Sequence, residues 1–479
     1  MSNHRISKSF PLACVPLLLL ASLSCPAQQP QQTTLPDAPA ARLIAQATQA
    51  SLSQPSGAQQ SAPQQPQSPT PPPGPKLALA DAEKMALQHN PNISIAHLLQ
   101  LAQAQVTREV RSGELPSAFA DLTAVDAHDN SRLTAGALNN PTVYDRAAGG
   151  ITVSQLITDF GRTRNLVRNA QSNAKAQLDQ ERASVEDITL AVDQAFYQAL
   201  TAQEILRVAQ QTVATRQATG DQIGALTKSN LRSILDLSLA NVQISQAQLL
   251  VVDAQNASQT AMANLNAILG SEGRTNYDLV DQTPAESATP PPDSEPLVQL
   301  AFTARPDLAA LNDRLVGAKQ FASAEHDLLR PTVSALAAAG GTPVRADQIL
   351  SSWYGAAGAN INIPVFNGFD YIARGKEADL RAQAAGEQVR NLRDDIARDV
   401  RTAVLNAQAA FQRIGVSREM LDQANTALEL AQARYKVGLS GIVDLTQAQL
   451  AQTQAEISLA NARFAYQTAM AEIRFQTGQ

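Results

Sequence analysis

The sequence predicts a mainly α chain with a small β part, organised as a tandem repeat of very long α-helical hairpins. Three observations carry this. First, Arg434-Tyr435-Lys436-Val437-Gly438-Leu439-Ser440-Gly441-Ile442-Val443-Asp444-Leu445 links two long alanine-rich helical patterns, and the stretch from Lys228 to Leu237 repeats it 208 residues earlier. Asn230 stands there for Gly438 and Asp236 for Asp444. Both stretches read as hairpin tips, because Gly and, next best, Asn tolerate the left-handed backbone of a tight helix-to-helix turn. Second, prolines at 91 and 116 recur at 306 and 331 with the same spacing of 25. Third, after the second proline of each pair an apolar–polar alternation replaces the helical period, which marks strands.

In chain order, residues 1–27 form a secretory signal: Arg5 and Lys8 precede the apolar run Phe10 to Leu23, followed by small residues. Both cysteines, Cys14 and Cys25, fall inside it, leaving the mature chain without a disulfide framework. Cys25 is a candidate lipid acceptor, although Ser22 stands three places before it, where such signals usually carry Leu. Residues 28–75 are rich in Gln and Pro and read as a flexible tether.

The first repeat spans 76–283. It opens with a short helix from Leu79 to His89, then a helix started by Asn90-Pro91, running to Leu115 and stopped by Pro116. A strand hairpin follows over 117–158, then long helices over 162–226 and 231–269. After a Pro-rich linker, 284–294, the second repeat, 295–479, gives the same series: short helix, a helix from Arg305-Pro306 to Arg330, hairpin 332–367, and helices 370–436 and 442–476. In the second hairpin the alternating run is Ala359 to Phe366, with Trp353 and Tyr354 just before it. Tyr144 stands before the first hairpin's second strand, and Phe160, Phe366, Phe369 and Tyr371 follow the strands. Aromatics bracketing strands of about ten residues are what the two interfaces of an outer membrane select in a β-barrel. Ile188, Val192, Phe196 and Ala199 keep helical spacing, and Ile396 and Val400 answer the first two. At 1.5 Å per residue such helices reach roughly 90 to 100 Å, beyond any globular helix.

These residues resemble the TolC-type outer-membrane efflux proteins. The carrying motifs are Asp159-Phe160-Gly161-Arg162 and Ile363-Pro364-Val365-Phe366-Asn367-Gly368 at the strand-to-helix junctions, with the second tip. The resemblance implies a homotrimer whose four membrane strands per chain build a 12-strand β-barrel in outer-membrane lipid, continued by a periplasmic helical tunnel. Closure alone requires oligomers, since four strands leave open edges that lipid cannot satisfy; two copies give eight strands and three give twelve. The resemblance also implies a passive conduit, joined by a periplasmic adaptor to an inner-membrane transporter for efflux or type I secretion. The adaptor would contact Ser229, Asn230, Leu231, Val437, Gly438 and Leu439. Asp236 and Asp444 match acidic positions at the tunnel mouth, where threefold repetition would make a carboxylate ring; the same residues could instead cap the returning helices. Ser440 and Gln447 depart from the family's pattern of an arginine and a further aspartate.

Other chemistry finds no support. His4, His89, His97, His128 and His326 form no metal-spaced cluster, and no nucleophile elbow, phosphate loop or dinucleotide fingerprint occurs, so neither an enzyme nor a cofactor site is expected. A net charge of −6, spread along the chain, offers no footprint for nucleic acid. The competing reading is a secreted coiled-coil or adhesin-like stalk, which shares the helices but needs no strand hairpins.

Overall fold

The computed structural model describes residues 74–126, 146–271, 273, 275–281, 290–344 and 351–479. The signal segment, Cys25, the Gln/Pro-rich tract up to residue 73 and Tyr144 lie outside the described residues. The chain begins with β1 (Lys76–Leu77), α1 (Leu79–His89) and α2 (Pro91–Ser112), then β2 (Ser117–Val125) and β3 (Arg146–Thr158). Next come α3 (Arg162–Lys228), α4 (Ile234–Ile268) and β4 (Asp278–Leu279). The remainder is α5 (Ser294–Ala304), α6 (Pro306–His326), a short 3₁₀ turn, β5 (Thr332–Val344), β6 (Trp353–Asn362), α7 (Asp370–Lys436) and α8 (Ile442–Thr477).

The helices α3 and α7 are each 67 residues long, so each runs roughly 100 Å. They turn back into α4 and α8, and α3 also packs on α8. Alanine is the commonest residue at their buried positions, and small side chains let the axes approach closely: a side-chain carbon at Gly220 of α3 would fall 2.6 Å from Ile244 Cδ1 of α4. Larger side chains are concentrated where short elements brace the long helices. Phe196 and Leu265 are fully buried in one such cluster with Leu77, Leu279 and Phe464, and Ile396 and Val400 pack with Val298 and Leu308 in another. There β1 and β4 form a two-residue parallel pair.

The four long strands form one antiparallel sheet in the order β2-β3-β5-β6, so the first and last strands each leave one edge unpaired. The helix α2 ends at Ser112, short of Pro116, because Gly113 caps it and the residues before a proline disfavour the α region. Asn90 caps α2 as its sequence suggests, its side chain accepting from the Asn92 amide at 2.9 Å. The last strand also differs from its sequence pattern: β6 starts at Trp353 and stops at Asn362, so Trp353 and Tyr354 lie in the strand and Phe366 lies in the junction. Pro364, with no N–H to offer, cannot extend the ladder.

Candidate functional site: the sheet faces and the hairpin tips

Register decides what each sheet face carries. Phe119 pairs with Thr152, Thr152 with Ala338 and Ala338 with Ala356, while the neighbouring residues Ala120, Ile151, Ala339 and Gly355 align on the other side. Two irregularities, at Ala147/Gly149 and Leu156/Thr158, bound the regular part. Between them one face presents Leu122, Ile151, Val153, Ala337, Ala357 and Ala359 among other apolar residues, and Gln155 is its one polar position. That amide is satisfied, donating to the carbonyls of Glu114 at 3.0 Å and Leu156 at 2.7 Å. The opposite face holds the carboxylate of Asp121 and the polar groups of Ser117, Thr152, Ser154, Ser334 and Asn360, with Phe119, Leu156 and Leu336 as large aliphatic or phenyl members. On this polar face the Tyr354 ring lies across two glycines: a side-chain carbon at Gly150 would fall 2.2 Å from Tyr354 Oη, and one at Gly340 2.5 Å from it. In the single chain the apolar face is uncovered, Leu122 being 91% exposed and Trp353 72%.

The strand-to-helix junctions depend on left-handed residues. Phe160 and Gly161 in one, and Gly368 and Phe369 in the other, have positive φ. Asp159 closes the first turn by accepting from the Gly161 amide at 3.2 Å and the Thr163 amide at 2.6 Å, and Arg330 donates to the Phe160 carbonyl at 2.8 Å.

The two tips share one geometry. Asn230 has φ +56° and Gly438 φ +79°. The Asn230 amide donates to Thr227 O at 3.0 Å and Leu231 to Leu226 O at 2.9 Å; Gly438 donates to Tyr435 O at 3.1 Å and Leu439 to Arg434 O at 2.9 Å. Each pair of bonds satisfies the last carbonyls of a long helix in the Schellman manner. Leu231, Val437 and Leu439 are about 70% exposed, and Ser229 and Asn230 are exposed beside them.

Asp236 and Asp444 stand in the first turns of α4 and α8, yet neither caps its helix. Ser233 caps α4, accepting from Leu235 N at 3.1 Å, and α8 starts at Gly441 without a side-chain cap. Asp444 is exposed and Asp236 half-buried. Ser233 thus caps the first tip, the second has no side-chain cap, and each carboxylate meets its helix only through the positive end of the helix dipole.

Sequence reading missed Arg232. It reaches from the first tip to the second, its guanidinium 4.2 Å from the Tyr435 ring centroid and its Nη2 donating to the Tyr435 carbonyl at 2.6 Å. Tyr435, Ile442 and Leu445 pack there with Ile223, Ala240 and Leu428, so both tips of one chain share a small core. Burial, the largest effect, and the Asp236 charge push the Tyr435 hydroxyl up, with Arg232 opposing them. Among the described residues no group of side chains is arranged to hold a metal, and no helix is long and apolar enough to cross a membrane.

Comparison with known proteins agrees with this architecture. The family described as Outer membrane efflux protein matches residues 83–271 and 297–479. The outer membrane protein TolC of Salmonella enteritidis is 23% identical over 426 residues, covering 84% of this chain and 82% of that protein. Protein CyaE of Bordetella pertussis is 25% identical over 399 residues, covering 80% of each. The crystal structure of the outer membrane protein VceC from Vibrio cholerae superposes with a TM-score of 0.72 at 19% identity, covering 84% of this chain and 96% of that one. With a family match across both helical hairpins and the strands that precede them, the chain belongs to the outer membrane efflux protein family.

Proposed function

We propose that this outer-membrane channel protein works as a passive trimeric conduit, the outer-membrane part of a tripartite efflux or type I secretion system. The observation that carries the reading is the division of the sheet into an apolar and a polar face between two unpaired edges. Hydrocarbon tolerates no open backbone edge, so β2 and β6 pair with strands of sister chains, and three chains give a 12-strand β-barrel with apolar residues toward lipid and Asp121 toward water. The equal lengths of α3 and α7 and the matching tips support a tandem duplication, with repeats 76–283 and 295–479. A coiled-coil stalk would account for the helices but leave Leu122 and Ile361 facing water without purpose.

In this reading the exposed tip residues Ser229, Asn230, Leu231, Val437, Gly438 and Leu439 receive a periplasmic adaptor, which links the conduit to an inner-membrane transporter. Asp236 and Asp444, freed from capping, line the tunnel mouth as a cation-attracting ring. The test is extraction of outer-membrane fractions in mild detergent. A complex three times the chain's mass, lost on heating and conducting ions in planar bilayers, is expected; a soluble, non-conducting monomer would refute the conduit.

A further inference from the structure

We infer that the cavity beside Arg216, in the lower part of the helical hairpins, is a binding site for a small inorganic anion of the halide class, chloride being the common one. Arg216 lies on α3 roughly three turns before its end. It is only 5% exposed. Its Nη1 donates to the carbonyl and side-chain oxygens of Gln243 on α4, both neutral acceptors, and its Nε is buried without a partner.

A guanidinium does not give up its proton under ordinary conditions, so this is a buried positive charge. Burial pushes its pKa down, and no carboxylate offsets that effect. Such a charge inside a protein is retained when a counter-charge meets it. The residue lines a cavity of about 200 Å³ walled by Gln211, Thr212, Gln432, Gln449, Gln452 and Thr453. At about 30 Å³ per water in the liquid, that space takes one halide and several waters. The wall hydroxyls of Thr212 and Thr453 donate to Val208 O and Gln449 O of their own helices, so solvation of the ion falls to the glutamine amides. Their two N–H donors solvate a single negative charge without neutralising it, which suits a monovalent ion. Glu456 also lines the cavity but is not the counter-ion. Its carboxyl is pushed up, first by burial and then by Glu204, and its cationic neighbour is Arg207.

The inference rests on α3, α4, α7 and α8 within one chain and does not depend on conduction or on the adaptor. The assembled protein in detergent would be melted in chloride and in gluconate at equal ionic strength. Wild type should gain a few degrees, saturably, as chloride replaces gluconate, and Arg216→Gln should gain none. Should that variant fail to fold, bromide-soaked wild-type crystals supply the readout, with an anomalous peak expected within contact distance of Arg216 Nε. Equal melting in both salts overturns the inference. So does a bromide-soaked crystal with water, or a sister subunit's carboxylate, in that place.

Discussion

Arg232 lies over the Tyr435 ring at 4.2 Å and donates to its carbonyl oxygen at 2.6 Å, although 203 positions separate the two residues. This contact ties the first hairpin tip to the second. It also supplies a charged donor at the C-terminal end of α7, where backbone carbonyls lack partners within the helix.

Arg232→Ala should therefore loosen the second tip without dispersing the oligomer. A cation–π contact plus a charge-assisted hydrogen bond on a half-buried arginine is worth about 1 kcal/mol or somewhat more. Hydrogen exchange at the Gly438 and Leu439 amides should speed up by about fivefold. Unchanged exchange would mean that the contact stabilises nothing.

The two sheet faces predict opposite outcomes for adjacent substitutions. Ala337 is on the apolar face, paired with Val153 and Ala357, while Ala338 is on the polar face, paired with Thr152 and Ala356. An arginine at a lipid-facing midplane position of a barrel costs about 2–4 kcal/mol. Ala337→Arg should cut the yield of heat-modifiable oligomer severalfold, and Ala338→Arg should spare it. The reverse order would invert the assignment of lipid and lumen.

At the tips, a bulky residue at Gly438 is a poor probe, since φ +79° strains any side chain placed there. Leu439→Asp is cleaner, because Leu439 is 71% exposed and its amide bond to Arg434 survives the change. It should abolish crosslinking to the adaptor while leaving the oligomer intact; crosslinking at the wild-type level would refute the contact.

Asp444 makes no helix cap, so its removal should alter conduction more than stability. Asp444→Ala should weaken block by divalent cations in planar bilayers, with a melting temperature close to wild type. A lowered melting temperature with unchanged block would return Asp444 to a structural role.

Acid titration supplies a further test, on α3 far from the tips. Glu186 is pushed up to about 7, first by burial and then by the Asp307 charge, with Arg305 opposing and Asp187 adding a smaller push. Because its folded pKa exceeds the ordinary carboxylate value, the folded state holds a proton that the unfolded state releases. The resulting stabilisation is complete below about pH 4 and is lost as the pH rises through about 7. Asp193, buried and facing Glu83 and Arg474, is raised to about the same value, first by its burial. Glu186→Gln should therefore flatten the fall in melting temperature between pH 5 and 7, and an unaltered slope would remove Glu186 from that transition.

What depends on a few neighbouring residues is legible along the chain. Left-handed backbone is a local property, so Asn230 and Gly438 announced matching turns; helical spacing over dozens of residues announced α3 and α7; alternation announced strands. At Gly113 and Pro364 the apolar spacing runs on past the end of the element, to Leu115 and Phe366, so the boundary is set by the cap and by the missing proline N–H instead of by the pattern. Tertiary structure decided what depends on pairing across the chain. Strand alternation names two faces but cannot say which residues of four strands share one until register and bulges set the partners. Nothing in the residues around Arg232 or Arg216 marks them; packing brings the first to Tyr435, and α4 and α8 close around the second. Burial of a charge is a property of the assembled helices, and no local pattern encodes it.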